Sequence, residues 1–273
     1  DVHRRFAHSD KIRLFQMIAK NVGVRRSRGR FVLATNIDIL FSDGAMHFMR
    51  ERMRPGRMYL ADRADIPAAV PDGQDFSRVL DFCERETFRV NTGAFVLNRG
   101  AGGWRLRDRL KAALPTPVGY GLQVLENRGD VGGVGVRGTL LRFRLPFTNS
   151  CGDFTAMARE DWDRLRAYPE WPVFSYHLDS ILVHQAFGCG MPVRRLGPRA
   201  RVFHIDHGGG YTREGAGSMF QRLQASGTPF IGDAELTRIV YGEIKVHRGT
   251  PEPVTFNPPD WGMEGIYLKE TNP

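Results

Sequence analysis

Between Lys11 and Asp38 the spacing of apolar residues changes from one period to another, and this change restricts the fold more than any other feature of the chain. Ile12, Phe15, Ile18, Ala19 and Val22 recur at three- and four-residue steps, the period of an amphipathic helix spanning Lys11 to Val24. The basic run Arg25 to Gly29 ends in glycine, as a helix C-terminus does, and Arg30 to Thr35 (Arg-Phe-Val-Leu-Ala-Thr) follows as a short buried strand. Asn36-Ile37-Asp38 falls where that strand ends. A helix feeding a buried strand has to pack on the sheet that contains it, which points to a layered α/β fold.

The same alternation continues. Ser42-Asp43 can cap a short helix through Met49, Arg57 to Ala61 reads as another strand, and Ile66 to Asp75 as a Pro- and Asp-rich loop. Helix-plus-strand alternation predicts a mainly parallel sheet flanked by helices. From about 98 to 138 the texture changes to one amphipathic patch, Trp104 to Leu114, and a stretch containing Gly129, Gly132, Gly133 and Gly135, which reads as a variable insertion. A strand-like run from Leu140 leads to Thr148 to Met157. A helix over Arg159 to Arg166, a proline-bounded turn at Tyr168 to Pro172, a helix over Leu178 to Phe187 and a strand over Ala200 to His204 come next. No internal repeat is evident, so residues 1–273 read as one domain with a tail over about 208–273, whose Trp261 packs back on the body.

With 273 residues, 41% of them hydrophobic, the chain can bury a real core, and its longest apolar runs stop far short of the roughly 20 residues of a membrane span. Cys83, Cys151 and Cys189 are widely spaced and form no CxxC pair, which fits free thiols in a reducing cytoplasm. No secretory leader is visible, and a cytoplasmic location is expected. The 39 Lys and Arg against 30 Asp and Glu give a net charge of +9 and favour anionic partners. The arginines are spread along the chain rather than interleaved with aromatics, which argues against a specific nucleic-acid partner and leaves a basic surface for peripheral membrane contact.

Three places carry candidate chemistry. Asp38 stands at the carboxyl end of a strand, where open α/β sheets bind ligands; by itself the triplet also reads as a turn cap. Asp179, in Tyr176-His-Leu-Asp-Ser180, stands at a helix start, either as an N-cap or as a general base. His204-Ile-Asp-His207 follows a strand, with His204 and Asp206 able to share a face and His207 in the next loop; either imidazole could complete a metal site or simply be hydrogen-bonded.

Taken in order, these features resemble a known family. The run Lys20-Asn-Val-Gly-Val-Arg-Arg-Ser-Arg-Gly-Arg-Phe-Val-Leu-Ala-Thr-Asn-Ile-Asp38 is similar to the segment of GT-A glycosyltransferases (family 2-like) in which a helix leads into a strand ending in the metal-binding DxD motif. Cys151-Gly-Asp-Phe-Thr-Ala-Met-Ala-Arg-Glu-Asp-Trp162, Ala167-Tyr-Pro-Glu170, Leu178-Asp179 and Val202-Phe-His204 resemble their galactosyltransferase-like C-terminal block. The resemblance covers about Asn21 to Asp62 and Thr148 to His207. It implies a GT-A, Rossmann-like fold and metal-dependent, inverting transfer of a sugar from a nucleotide-diphosphate donor, usually a UDP-sugar, to a glycan or other hydroxyl acceptor. The implied ligands of Mn²⁺ or Mg²⁺ are Asp38 with His204 or His207; the implied base is Asp179; Asn36, Gly152 and Asp153 fall to the substrate. The strands that open these enzymes and hold the nucleotide base have no counterpart here, so the resemblance also implies an N-terminally truncated chain.

Two other classes use the same residue types: a metal-dependent hydrolase or nucleotidyltransferase, and a carbohydrate- or nucleic-acid-binding protein without catalysis on the same scaffold.

Overall fold

The computed structural model describes residues 2–73, 75–93, 95–113, 146, 148–207, 211–244 and 251–268, with the side chains of 112, 113 and 211–217 left out. After a 3₁₀ turn at His3–Arg5, the elements are α1 (Gln16–Arg26), β1 (Phe31–Thr35), β2 (Ile39–Phe41), α2 (Asp43–Glu51), β3 (Met58–Leu60), β4 (Arg63–Ile66) and α3 (Phe76–Glu86). Then come β5 (Arg89–Asn91), β6 (Val96–Asn98), α4 (Leu106–Ala113), β7 (Phe154–Ala158), α5 (Arg159–Leu165) and α6 (Leu178–Gly188). β8 (Val193–Arg195), β9 (Val202–Ile205), α7 (Tyr211–Ala225) and α8 (Asp233–Arg238), which runs into a π-helical turn at Ile239–Ile244, complete the order. None of the described helices is long and apolar enough to cross a membrane.

The α/β class stands, but the expected mainly parallel sheet does not. The strands form two mixed sheets, β1-β7-β3-β8 and β2-β9-β4-β5-β6. Among the described strands only β3 with β8 and β4 with β9 run parallel; the other five pairings are antiparallel. A parallel pair needs a long crossover, whereas β5 and β6 are joined by residues 92–95 alone and can only form a hairpin. The first sheet hands the chain to the second at three places: β1 to β2 through residues 36–38, β3 to β4 through 61–62, and β8 to β9 through 196–201. Residues at these crossings are brought side by side although they are far apart in sequence.

Both faces of the first sheet are covered, so β7 is buried at all five positions. Val32, Ala34, Met58, Leu60 and Met157 face α1, α5 and α6 in the largest core cluster. Tyr59, Phe154 and Ala156, alternating with them, meet Phe48 and Met49 of α2 on the other side. α3 packs Cys83, with Val79 and Leu80, on Ala64, Ile66 and Phe203 of the second sheet.

α1 starts later than its apolar spacing suggests. Ile12 and Phe15 precede it in a small cluster with Ile18, and Ala19 is exposed. The buried face is Met17, Ile18, Asn21 and Val24, because Asn21 is internal: its amide donates to Tyr168 O (2.8 Å) and Glu170 Oε1 (3.0 Å), and its oxygen accepts from Tyr168 N (3.1 Å). The predicted loop from Ile66 begins one residue early, since Ile66 ends β4, and α3 starts at Phe76, just beyond the loop. The predicted tail holds α7 and α8 and closes the main core with Ile239, Val240, Ile244 and Trp261; the Arg25 guanidinium lies 4.9 Å from the Trp261 ring centre. Of the predicted insertion, α4 is described; its glycine-rich part and the strand-like run from Leu140 lie outside the described residues. All three cysteines are free and buried.

Two stability predictions follow from this packing. A Cβ on Gly44 of α2 would stand 1.9 Å from the backbone oxygen of Arg199, whereas Gly23 of α1 has nothing within 4 Å. Gly44→Ala is expected to cost about 1–3 kcal/mol or more in urea denaturation. Gly23→Ala should gain up to about 1 kcal/mol. Equal effects would mean that α2 does not lie against residues 199–200.

His184 of α6 is buried and its Nδ1 has no hydrogen-bond partner among the described residues; burial, helped by His177, pulls its imidazole down from 6.5 to about 4. A depressed folded-state value means that the unfolded chain takes the proton first. This contribution is therefore complete above pH 6.5 and lost as pH falls through 4, about 3 kcal/mol at about 1.4 kcal/mol per pH unit. Denaturant titrations at pH 7 and pH 4 should show the wild type losing that much more than His184→Gln; parallel losses would mean that His184 can be protonated inside the fold.

Candidate metal centre

Asp38 lies in the first crossing, between β1 and β2. Its backbone oxygen accepts from Ile205 N (2.9 Å), and β2 pairs with β9 in the register Ile39↔His204, so the strand pairing itself sets His204 beside Asp38. His204 Nε2 is 3.2 Å from Asp38 Oδ2, and His207 Nε2, from the loop after β9, is 3.1 Å from the same oxygen. The sequence left the choice between these histidines open; the structure brings both to the carboxylate. One ligand atom from each of the three residues lies within 4.8 Å of the others. The remaining oxygen, Asp38 Oδ1, is buried with no hydrogen-bond partner among the described residues. A buried carboxylate oxygen left unpaired is costly, and two imidazole nitrogens converging beside it make a donor set that a divalent cation would satisfy.

Behind the histidine stands a carboxylate that the sequence reading missed. Asp65 of β4 is directly opposite His204 in the parallel β4–β9 register, and His204 Nδ1 is 3.0 Å from Asp65 Oδ1. Burial lowers the His204 imidazole, but hydrogen bonds to Asp38 and Asp65 outweigh burial and lift it to about 9. The same contact with His204, offsetting burial, holds the Asp38 carboxyl below the usual carboxylate value. A cation entering here would displace a proton from His204. The available signal was the charge pattern of Arg63-Ala-Asp65: two charges two residues apart on a strand share a face, and such a face is rarely buried without a partner.

Arg63 carries the network to the second half of the site. Its Nε lies 2.9 Å from Asp65 Oδ1 and its Nη1 2.8 Å from Asp153 Oδ2. Asp153 Oδ1 accepts from Asn36 Nδ2 (2.8 Å), and Asn36 Oδ1 accepts from Gln16 Nε2 and Lys20 Nζ, both at 2.7 Å. Gln16 and Lys20 can share this acceptor because residues four apart lie on one face of α1. Lys20 Nζ also donates to Gly152 O (2.7 Å). Asn36 and Asp153, both expected to touch substrate, thus spend their polar atoms inside the protein, where they tie the end of β1 to the start of β7.

Asp179 is the second residue of α6 rather than its cap, a position held by His177 in the left-handed conformation (φ 72°). Its Oδ1 accepts from Ser180 N (2.8 Å), while Oδ2 faces Gly152 so closely that a Cβ on that glycine would be 2.6 Å away. Glycine is therefore required at 152 for contact with Asp179. Burial raises the Asp179 carboxyl, against the pull of the Cys151 thiol, the Ser180 N–H and Lys20. Burial likewise lowers the Lys20 amine, against Asp179 and Asp153. Asn36, Asp38, Gly152, Asp153, Asp179, His204 and His207 belong to one continuous set of contacts, joined by Lys20, Arg63 and Asp65.

No protein-family model matches this chain, and no curated protein matches it. Any function has to be argued from the site itself.

Proposed function

We propose that the chain is a metal-dependent glycosyltransferase of the GT-A kind, moving a sugar from a nucleotide-diphosphate donor, a UDP-sugar being the first to test, to an acceptor hydroxyl. The observation that supports it is the convergence of His204 and His207 on Asp38 Oδ2, with the buried Oδ1 of the same carboxylate lacking a hydrogen-bond partner among the described residues, and the connection of this group through Arg63 and Lys20 to a second carboxylate of raised proton affinity. Two imidazoles among three donors favour Mn²⁺ over Mg²⁺, which prefers oxygen ligands. When bound, the ion supplies positive charge for a departing diphosphate.

The remaining work falls to the chain's own residues. Asp179 Oδ2 takes the proton of the acceptor hydroxyl as that oxygen forms its bond to the anomeric carbon. The bond from this carbon to the diphosphate breaks at the same time, its electron pair leaving with the diphosphate, so one displacement inverts the centre. An elevated carboxyl is better matched to this task than an ordinary aspartate. Asn36, Asp153, Lys20 and Arg63 hold the two carboxylates in register.

Calorimetric titration of UDP with Mn²⁺ and with chelator tests the reading. Binding that requires metal supports it, and no binding in either condition overturns it. The same donor set with an open position also suits a hydrolase, so release of free sugar without any acceptor would move the assignment to hydrolysis.

A further inference from the structure

The structure assigns to Asp65 the part of a positioning residue that makes His204 a ligand, by holding its imidazole with the proton on Nδ1 and the lone pair of Nε2 turned to the Asp38 side. The inference rests on the metal-centre reading above and goes beyond it, since Asp65 itself touches neither metal nor substrate.

Asp65 is fully buried and its two oxygens are shared among groups from three strands. Oδ1 is 3.0 Å from His204 Nδ1 of β9 and 2.9 Å from Arg63 Nε of β4. Oδ2 is 3.1 Å from Arg89 Nε and accepts from Asn91 Nδ2 at 3.2 Å, both of β5. The two guanidinium groups compensate its charge, and a carboxylate so placed can only accept hydrogen bonds. His204 must then present a donor at Nδ1, which leaves Nε2 as the coordinating nitrogen. The backbone adds a second restraint, because Asp65 and His204 are register partners in a parallel ladder. The ring of His204 is thus fixed at its backbone and at Nδ1 before any ion arrives.

His207 offers a contrast. Its side chain is 54% exposed, and its ring makes described contacts only with Asp38 and the His204 ring. The centre therefore has one prearranged imidazole and one that adapts, and the support of the first is the feature that affinity should depend on.

A buried acid between two arginines could also serve packing alone, so the test needs readouts that packing would not move. Zn²⁺, being diamagnetic, and Mn²⁺ are titrated into the wild type, Asp65→Asn and Arg89→Gln, with folded fraction followed by circular dichroism. Loss of such an outer-shell partner weakens metal binding by about 10- to 100-fold, and this is expected for Asp65→Asn. Arg89→Gln, which cuts the same cluster on the oxygen away from His204, should change affinity less than about threefold, a small effect against that range. Long-range ¹⁵N–¹H spectra of the Zn²⁺-loaded wild type should show His204 protonated at Nδ1 and coordinated through Nε2; because this needs no variant, it decides the matter even if Asp65→Asn does not fold. Coordination through Nδ1, or equal affinity in folded Asp65→Asn, overturns the Asp65 assignment alone. Failure of the wild type to bind either ion removes the metal centre and this inference with it.

Discussion

Asp38→Ala abolishes Mn²⁺-dependent binding of UDP and removes the thermal stabilisation that Mn²⁺ gives the wild type. Among the described residues Asp38 supplies the one carboxylate at the centre, and both imidazoles are arranged around its Oδ2, at 3.2 and 3.1 Å. Without it an ion would be left with two neutral nitrogens, one of them on the exposed His207. Loss of an outer-shell partner costs about 10- to 100-fold in metal affinity, and loss of a coordinating carboxylate should exceed about 100-fold. The thermal assay reads the same quantity independently: an ion at about 100 times its Kd stabilises the fold by about 2.7 kcal/mol, which should vanish in the variant. Fold damage is separable, since the metal-free variant loses only the contacts of one side chain at a crossing loop and should unfold cooperatively. Retention of Mn²⁺-dependent UDP binding within about threefold would place the diphosphate site elsewhere, for at the floor of about 1.4 kcal/mol per tenfold such a change is too small for a lost ligand.

How much of this could be read in advance depended on whether the signal was local. β1, the Ser42-capped α2, α5, α6 and β9 were visible because a period, a cap or a turn marks each of them; Ser42 Oγ does accept from Ala45 N (3.2 Å). β5 and β6, at three residues each, are too short to show alternation, and β4, at four, falls between the predicted strand ending at Ala61 and the predicted loop beginning at Ile66. Strand direction was misjudged for a different reason. Partners such as Met58 and Val193, or Phe31 and Ala158, are set by tertiary packing between distant segments, on which local helix–strand alternation is silent. The site divides the same way. Asp38, Asp179 and the two histidines were singled out by their position at element ends. Lys20, Arg63 and Asp65 were passed over because a charge away from any motif usually means a solvated face, and only the fold shows these three turned inward. Asn36 and Asp153 were found but given a contact with substrate; Gln16, Lys20 and Arg63 take up their polar atoms first.

The largest effect on turnover without an effect on binding is expected from Asp179→Asn. Asn keeps the shape and the oxygen that accepts from Ser180 N, but it cannot take up a proton at Oδ2, the atom that faces Gly152. General-base catalysis contributes about 10²- to 10⁴-fold, so kcat should fall by that factor while UDP affinity in Mn²⁺ stays within about threefold, the contacts of Asp38, His204 and His207 being untouched. Stability supplies a second, opposite sign. Burial raises the folded-state value of this carboxyl, so its favourable contribution is present at pH below 3.8 and is lost as pH rises through the raised value. Above that raised value the wild type therefore carries a desolvated charge that Asn does not, and there Asp179→Asn should be as stable as the wild type or more so, with the advantage shrinking as the pH is lowered. Activity falling while stability holds or rises is the pattern of a catalytic group kept at the expense of the fold. Full turnover in Asp179→Asn would end the assignment of the base, and loss of UDP binding along with turnover would move Asp179 to the donor side of the site.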